Sequence, residues 1–282
     1  MRVAVLGASG GMGSFFVRYF LERGDTVRGS DSGRTTREKR LESFHTNAEA
    51  VKGADVTVIA VPMDSTLKVA KEVARRLKPG STLVEISSVK GETLPALRRL
   101  VGDRVTLLSI HPLFGPALES TKGMKIAVIA KKGGSEAALA KSLFPGSRII
   151  PMSRKEHDRA MAVVLSLTHL LNVVYAGTVS QFLSPEEFMR VSTPNSSMQL
   201  TLAEAVLAQD ARLSYGIQAG NAYTGKVARA ASRELKRVLE MVERSDWNAF
   251  EEHYSALSKR YRSDKRAASV IREIYSAAEK AT

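Results

Sequence analysis

The feature that most constrains the fold is a glycine-rich turn near the start of the chain. The run Arg2-Val3-Ala4-Val5-Leu6, apolar after its first residue, predicts a strand. The turn Gly7-Ala8-Ser9-Gly10-Gly11-Met12-Gly13 follows, and residues 14–23 carry apolar side chains at helical spacing. A second predicted strand, residues 26–30, ends at Asp31. A strand, a glycine-rich turn, a helix, a strand and an acidic residue in this order are typical of a Rossmann-type fold that binds a dinucleotide.

Each glycine of the turn has a predicted task. Gly7 permits the tight turn, Gly10 lets a pyrophosphate approach the backbone, and Gly13 lets the helix pack closely on the strand. The first helical N–H groups and the helix dipole then face the phosphates. We predict that the cofactor is held by a group of turn residues, namely Gly7, Ser9, Gly10, Gly11, Met12 and Gly13. A purely structural glycine-rich turn is the alternative, since the first two glycines are one residue further apart than usual.

The end of the second strand bears on the choice of cofactor. A carboxylate at Asp31 would accept hydrogen bonds from the ribose hydroxyls and therefore favours NAD. Ser32 and Arg34 follow at once and would suit a 2′-phosphate, so NADP stays open. A later strand, residues 55–61, ends at Val61-Pro62, where the chain would line the nicotinamide half of the cofactor.

The order of the predicted elements divides the chain into two parts. Strands and helices alternate through residues 1–152, which predicts an α/β dinucleotide-binding domain with a mainly parallel sheet. Residues 153–282 lack strand patterns and predict an all-helical substrate and dimerisation domain. Its predicted helices span residues 155–182, 199–209 and 211–243, with breaks at Pro185 and Pro194. Because long apolar helices in a small domain need cover, we expect a homodimer.

Composition excludes several classes of protein. The 282 residues include no cysteine, so disulfides and thiolate metal sites are absent, and we predict no metal. The net charge of +13 suits an anionic substrate, but the basic residues are scattered and form no nucleic-acid motif. No uninterrupted apolar run reaches the length of about 18 residues expected of a membrane helix. The N-terminus lacks the regions of a signal peptide. We therefore expect a cytoplasmic protein without nucleic-acid or membrane partners.

A histidine at the end of a predicted strand is the main candidate for catalysis. The apolar residues Val105, Leu107 and Leu108 lead into Ser109-Ile110-His111-Pro112-Leu113-Phe114-Gly115-Pro116, where the two prolines stiffen the loop. Ser88 follows another predicted strand. Ligands of open α/β sheets lie outside the carboxyl ends of the strands, so His111 and Ser88 should share one rim. A role for Ser88 as a helix cap is the alternative.

These motifs resemble those of the prephenate dehydrogenase family, in its compact kind without a regulatory domain. The resemblance covers nearly the whole chain. It is carried by the glycine turn, by Ser87-Ser88-Val89-Lys90, by the His111 loop and by Glu156-His157-Asp158-Arg159 leading to Ser166-Leu167-Thr168-His169. It implies oxidative decarboxylation of prephenate to 4-hydroxyphenylpyruvate in tyrosine biosynthesis. His111 would accept the proton of the substrate hydroxyl, with Ser88 beside it, and His169 would contact the substrate or serve as a core histidine.

One position departs from the family pattern. An arginine that grips a substrate carboxylate would match Ala205, so either Arg190 or Arg212 takes its place or the substrate differs. Arogenate is the near alternative to prephenate, and a diverged dehydrogenase with another small anionic substrate is the further one. A nucleotide-binding sensor without catalysis is the alternative from another class of protein.

Overall fold

A computed structural model describes residues 1–31, 38–118, 120–131, 134–261 and 266–281. Predicted cofactor residues Ser32 and Arg34 lie outside these ranges. The strands are β1 (Arg2–Leu6), β2 (Thr26–Ser30), β3 (Glu42–Phe44), β4 (Val56–Ile59), β5 (Thr82–Glu85), β6 (Thr106–Pro112), β7 (Lys125–Ile129) and β8 (Arg148–Met152). The helices among them are α1 (Gly11–Glu22), α2 (Asn47–Ala50), α3 (Met63–Val73), α4 (Thr93–Val101) and α5 (Glu136–Leu143).

The strands form one sheet in the order β3-β2-β1-β4-β5-β6-β7-β8. All neighbouring pairs are parallel except β6 and β7, which are antiparallel. The carboxyl ends of β1, β4, β5 and β6 therefore share one edge. This confirms the predicted Rossmann-type sheet followed by a helical region.

Two apolar clusters hold helices against the two faces of the sheet. One contains the rings of Phe15, Phe16 and Phe20 from α1, together with Phe144 at the end of α5. The other contains residues of α3 and α4, including Val73 and Leu97. Strand residues such as Val5 and Val58 are fully buried between these layers. The continuous apolar runs of β1 and β7 suit this double cover.

The remaining helices are α6 (Arg154–Met161), α7 (Thr168–Val179), α8 (Pro185–Val191), α9 (Pro194–Leu207), α10 (Ala211–Gly220), α11 (Thr224–Glu243), α12 (Trp247–Tyr261) and α13 (Arg266–Ala281). A π-helical segment, Ala162–Leu167, joins α6 to α7 without a break. The chain forms two compact units. One comprises Met1–Thr168 with Gln209–Thr224, and the other comprises His169–Ala208 with Gly225–Thr282. The predicted domain division after residue 152 stays a prediction.

The second unit carries many exposed apolar side chains. They include Leu171, Val174, Leu235, Leu239 and Trp247, the last at the start of α12 and 66% exposed. Such a set is larger than the scattered exposed apolar residues of an ordinary surface.

One expectation about the helices is wrong. Residues 211–243 are not one helix, because the chain breaks at Asn221, whose side chain bonds elsewhere in the fold. The breaks expected around Pro185 and Pro194 are present, since the residues between α7 and α8 and between α8 and α9 are not helical. The two prolines occupy first-turn positions in α8 and α9, where a missing N–H is tolerated. Ser184 and Thr193 complete capping boxes in front of them.

Within the described residues, one helical stretch, Arg154–Val179, is long and apolar enough to cross a membrane by length and composition alone. Its mean hydropathy of 1.6 averages over interspersed polar side chains, which explains why no uninterrupted apolar run stands out in the sequence. Helices of soluble proteins pass the same test, so the helix alone carries little weight.

Candidate active site

The glycine turn connects β1 to α1 at the carboxyl edge of the sheet. Gly7 has a φ of +83°, and a Cβ atom there would lie 2.6 Å from the carbonyl oxygen of Ala60. A Cβ atom at Gly13 would lie 1.9 Å from the carbonyl oxygen of Gly7. Both positions therefore require glycine, the first for its conformation and the second for the close approach of helix and strand.

The turn fits the phosphates of a dinucleotide. A Cβ atom at Gly10 would meet only the carbonyl oxygens of Gly7 at 3.4 Å and Ala60 at 3.9 Å, so the fold leaves room beside this backbone position. Gly10 is also the residue before α1 and provides no side-chain cap, which leaves first-turn N–H groups for a ligand. Asp31 accepts hydrogen bonds from the Ser9 N–H at 3.0 Å and the Ser9 hydroxyl at 2.5 Å. The carboxylate is thereby held beside the turn.

Two further predicted cofactor residues follow β4. A Cβ atom at Gly7 would lie 3.0 Å from Cγ1 of Val61, so Val61 adjoins the turn. Pro62 is the residue directly before α3. The end of β4 thus lies beside the glycine turn, as expected for a strand that lines a cofactor site.

The loop after His111 rests against the same turn. A Cβ atom at Gly11 would lie 3.0 Å from Cγ of Pro116. The ring of Phe114 contacts that of Phe15 in α1 with a centroid distance of 5.3 Å. The chain that follows the histidine is therefore packed on the part of the fold that suits a dinucleotide.

His111 lies near the end of β6 and opposite Ala127 of β7. Its side chain is buried, with 6% of its surface exposed. Burial lowers the pKa of His111 well below its ordinary value, and the nearby Lys90 and His157 lower it further. The imidazole is therefore neutral at neutral pH and has a lone pair that can accept a proton.

His111 is the first member of a buried polar chain. Its Nδ1 lies 3.1 Å from Nε2 of His157, and Nδ1 of His157 lies 2.9 Å from Oδ1 of Asp158. The backbone N–H groups of Lys90 and Gly91 each donate to Asp158 at 3.1 Å. The loop after β5 and the start of α6 are thus tied to the histidine of β6.

A buried ion pair between Lys90 and Glu85 is bonded to the backbone next to His111. The ammonium group of Lys90 donates to Oε1 of Glu85 at 2.5 Å and to the carbonyl oxygen of Ile110 at 2.6 Å. Glu85 also accepts from the Ser109 hydroxyl at 2.7 Å and from the Ser87 N–H at 2.9 Å. All these groups come from β5, β6 and the loop between β5 and α4. They hold the strand that carries His111 in place.

The other predicted site residues are distributed over both units. Ser88 is half-buried after β5, and no hydrogen bond joins it to His111 among the described residues. Arg212 is exposed in the first turn of α10, in the same unit. The second unit contains Arg190, exposed in α8, and His169, whose Nδ1 is buried without a partner among the residues described. Burial lowers the pKa of His169. Ala205 lies within α9.

The sequence did not reveal the contacts among His111, His157 and Asp158. The sequence pattern predicts no contact between His157 and His111, and 46 residues separate the two. The adjacent pair His157-Asp158 could have indicated a buried polar contact, because both side chains form hydrogen bonds. In the described part of the chain, no group of three or more His, Asp or Glu residues is arranged to hold a metal ion.

The sequence matches two family models that together cover most of its length. Residues 18–129 match the nucleotide-binding domain of prephenate dehydrogenase, and residues 153–256 match the dimerisation domain of the same enzyme. Both matches agree with the order of sheet and helices in the fold.

Three known proteins illustrate the similarity. A probable arogenate/prephenate dehydrogenase of Methanocaldococcus jannaschii is 25% identical over 97% of this chain, which spans only 66% of that protein's length. A 4-amino-4-deoxyprephenate dehydrogenase of Streptomyces pristinaespiralis is 25% identical, with 88% of this chain and 87% of the relative covered. The structure of prephenate dehydrogenase from Aquifex aeolicus with hydroxyphenyl propionate and NAD+ has a TM-score of 0.75. It is 18% identical, with 92% of this chain and 96% of that chain covered, and it shares the fold. With both of its parts matched by models of one enzyme family, the chain belongs to the prephenate dehydrogenase family.

Proposed function

We propose that the protein is a nicotinamide-dependent dehydrogenase that catalyses the oxidative decarboxylation of prephenate or a close analogue. The observation that carries the proposal is the position of His111. A buried, neutral imidazole lies at the carboxyl edge of the sheet, and the loop that follows it packs against the glycine turn through Pro116. Family membership supplies the class of substrate.

In the proposed reaction His111 is the general base. It accepts the proton of the hydroxyl on the substrate ring as the hydride leaves the same carbon. The bound nicotinamide supplies the acceptor for that hydride. The bond between the ring and its carboxylate then breaks, carbon dioxide departs and its bonding electrons make the ring aromatic. The proton held by His111 can return to the phenolate oxygen, so that atoms and charge balance.

The environment of His111 suits this task and predicts the pH dependence. Burial, Lys90 and His157 all lower the pKa of His111, so the base stays unprotonated at neutral pH. Activity should fall only when the pH drops well below 6.5, the ordinary pKa of histidine. Ser88 is proposed to bind the substrate hydroxyl or to orient His111 in the complex.

NAD is the proposed cofactor. Asp31 lies beside the glycine turn and is bonded to Ser9, where a carboxylate would bind the ribose hydroxyls and repel a 2′-phosphate. NADP is the alternative, because Arg34 follows a few residues later. The turn residues Gly10, Gly11 and Met12 are proposed to hold the pyrophosphate.

The substrate is proposed to be prephenate, with arogenate and 4-amino-4-deoxyprephenate as alternatives. The names of the two relatives include all three compounds. Ala205 stands where the resemblance implies a carboxylate-binding arginine, so Arg190 or Arg212 is the proposed replacement. His169 is a further proposed contact, because its buried Nδ1 lacks a partner within the described residues.

We also propose that the protein is a cytoplasmic homodimer. The matched dimerisation domain and the exposed apolar side chains of the second unit support this assembly. Sedimentation that shows a monomer at micromolar concentration would contradict it.

The experiment that tests the function uses the purified protein with each of the three substrates. Each substrate is combined with NAD or NADP, and the absorbance of the reduced cofactor is followed. We expect turnover of at least one substrate, with a higher kcat/KM for NAD, and loss of turnover in His111→Asn. Tight cofactor binding without turnover of any of the three would contradict the proposal and favour a nucleotide-binding sensor.

A further inference from the structure

We infer that His157 and Asp158 are positioning residues that keep the proton of His111 on Nδ1 and thereby leave Nε2 as the proton-accepting atom. The inference rests on the proposed function, in which His111 is the general base.

The argument starts at Asp158, whose oxygens face hydrogen-bond donors. Oδ1 accepts from the Lys90 N–H, and Oδ2 accepts from the Gly91 N–H. Burial by itself would raise the pKa of Asp158, but the hydrogen bonds from His157 and these two N–H groups lower it overall. An ionised carboxylate can only accept, so Nδ1 of His157 must carry a proton and donate it to Oδ1.

The direction of the hydrogen bond between His157 and Asp158 sets the direction of the hydrogen bond between His157 and His111. A neutral His157 with its proton on Nδ1 has a lone pair on Nε2, the atom 3.1 Å from Nδ1 of His111. Nδ1 of His111 therefore donates, and the lone pair of His111 is on Nε2. The opposite direction would place the proton of neutral His111 on Nε2 and leave no lone pair for the substrate. Only the first arrangement is compatible with a base at His111.

The surroundings keep this chain rigid. His157 is fully buried, and its ring meets that of His111 edge-on at a centroid distance of 5.2 Å. The Asn221 side chain donates to the backbone carbonyl of Asp158 at 2.7 Å. Ser153 and Glu156 form a capping box that fixes the start of α6. A base whose ring is held by packing and hydrogen bonds needs little rearrangement when it accepts a proton.

The charges around His111 indicate which group stabilises its protonated form. Lys90 opposes a positive charge on His111, and Glu85 neutralises much of that effect through its ion pair with Lys90. Along the hydrogen-bonded chain, Asp158 is the negative charge nearest to His111, and the side chain of His157 lies between the two. A carboxylate in this position stabilises the imidazolium that forms and keeps the neutral imidazole in the productive tautomer.

Asp158→Leu removes the acceptor of the His157 N–H with a side chain of similar size. Asparagine is unsuitable, because its amide oxygen could replace Oδ1 and keep the bonds from His157 and Lys90. Without the carboxylate nothing requires the proton of His157 to stay on Nδ1, so part of the His111 population would carry its proton on Nε2 and could not accept another there. In a Ser-His-Asp triad, loss of the orienting carboxylate lowers kcat about 10⁴-fold. We expect kcat to fall roughly 10²–10⁴-fold here, with little change in the KM for the cofactor.

The test combines NMR with kinetics. The nitrogen-15 shifts of ¹⁵N-histidine protein show which ring nitrogen carries the proton, and the chain has only five histidines to assign. His111→Asn and His157→Gln identify the two relevant rings. We expect His111 to be protonated on Nδ1 in the wild type and to be a mixture of the Nδ1 and Nε2 tautomers in Asp158→Leu. Turnover and its pH profile are measured for both proteins.

Asp25→Leu is the matched control. The carboxylate of Asp25 is also mostly buried and bonded to a cation, Arg23, but it precedes β2 at the opposite edge of the sheet. This variant should keep the wild-type tautomer of His111 and its turnover. His157→Gln retains a donor and an acceptor between Asp158 and His111, so it should lose less turnover than Asp158→Leu.

Two results would overturn the inference. One is a wild-type His111 protonated on Nε2, which the NMR experiment detects even if Asp158→Leu does not fold. The other is an Asp158→Leu protein with unchanged tautomer and turnover within about threefold of the wild type. Failure of the proposed function is a separate result, because a wild type inactive on all three substrates still has a measurable tautomer.

Discussion

Lys90→Met tests whether the buried ion pair beside His111 stabilises the fold. The Lys90 and Glu85 side chains are 0% and 1% exposed, and the two charged atoms are 2.5 Å apart. Removing the cation leaves a carboxylate in the interior with only two donors, the Ser109 hydroxyl and the Ser87 N–H. The loss of one partner from a buried pair typically costs about 3–5 kcal/mol.

Urea denaturation followed by circular dichroism measures the effect. With an m-value of about 2–3 kcal/mol/M, a loss of about 3 kcal/mol lowers the midpoint by roughly 1–1.5 M. The double variant Glu85→Gln/Lys90→Met removes both charges and should recover most of that loss, because neutral replacement of a buried pair is often tolerated.

An exposed pair with nearly the same geometry is the control. Lys78 and Asp55 are 2.7 Å apart, but their side chains are 52% and 41% exposed. Lys78→Met should therefore cost less than about 1 kcal/mol. If Lys90→Met and Lys78→Met shift the midpoint equally, burial does not determine the strength of the pair and the reasoning fails. Because Lys90 lowers the pKa of His111, Lys90→Met should also move the acidic limb of kcat/KM to higher pH.

Three other substitutions test the site itself. His111→Asn should lower turnover roughly 10²–10⁴-fold while cofactor affinity, measured by calorimetry, stays near the wild-type value; near-normal turnover would mean that another group takes the proton. Gly10→Val should abolish measurable cofactor binding, because the added side chain occupies the open space over the turn; unchanged affinity would refute the assignment of the pyrophosphate site. Asp31→Asn should reduce the preference for NAD over NADP in kcat/KM, and an equal or greater preference for NAD would show that other residues select the cofactor.

The sequence predicted those parts of the site that depend on local pattern. The glycine turn, the acidic residue after β2 and the histidine at the end of β6 all lie within short stretches whose apolar runs and turn residues indicate strand ends. In parallel strands these ends share an edge, so the grouping of the glycine turn, Val61 and His111 follows from topology. Simple steric rules also explain why Gly7 and Gly13 tolerate no side chain.

The rest of the site depends on contacts between distant segments. His157 and Asp158 approach His111 only because α6 packs beside the ends of β5 and β6, and no periodic pattern contains that information. The break at Asn221 has the same origin, since it depends on a hydrogen bond to the backbone of Asp158. The starts of α8 and α9 are easier to predict from the sequence, because Ser184-Pro185 and Thr193-Pro194 are good first-turn sequences.

The position of Trp247 has a consequence for spectroscopy. It is the chain's single tryptophan and belongs to the second unit, where it is largely exposed. Emission excited where tyrosine does not absorb therefore reports on that unit alone, and the sheet-containing unit is silent in this signal. Circular dichroism follows the secondary structure of both units. Comparing the two signals during unfolding would show whether the helical unit loses its structure together with the sheet or separately from it.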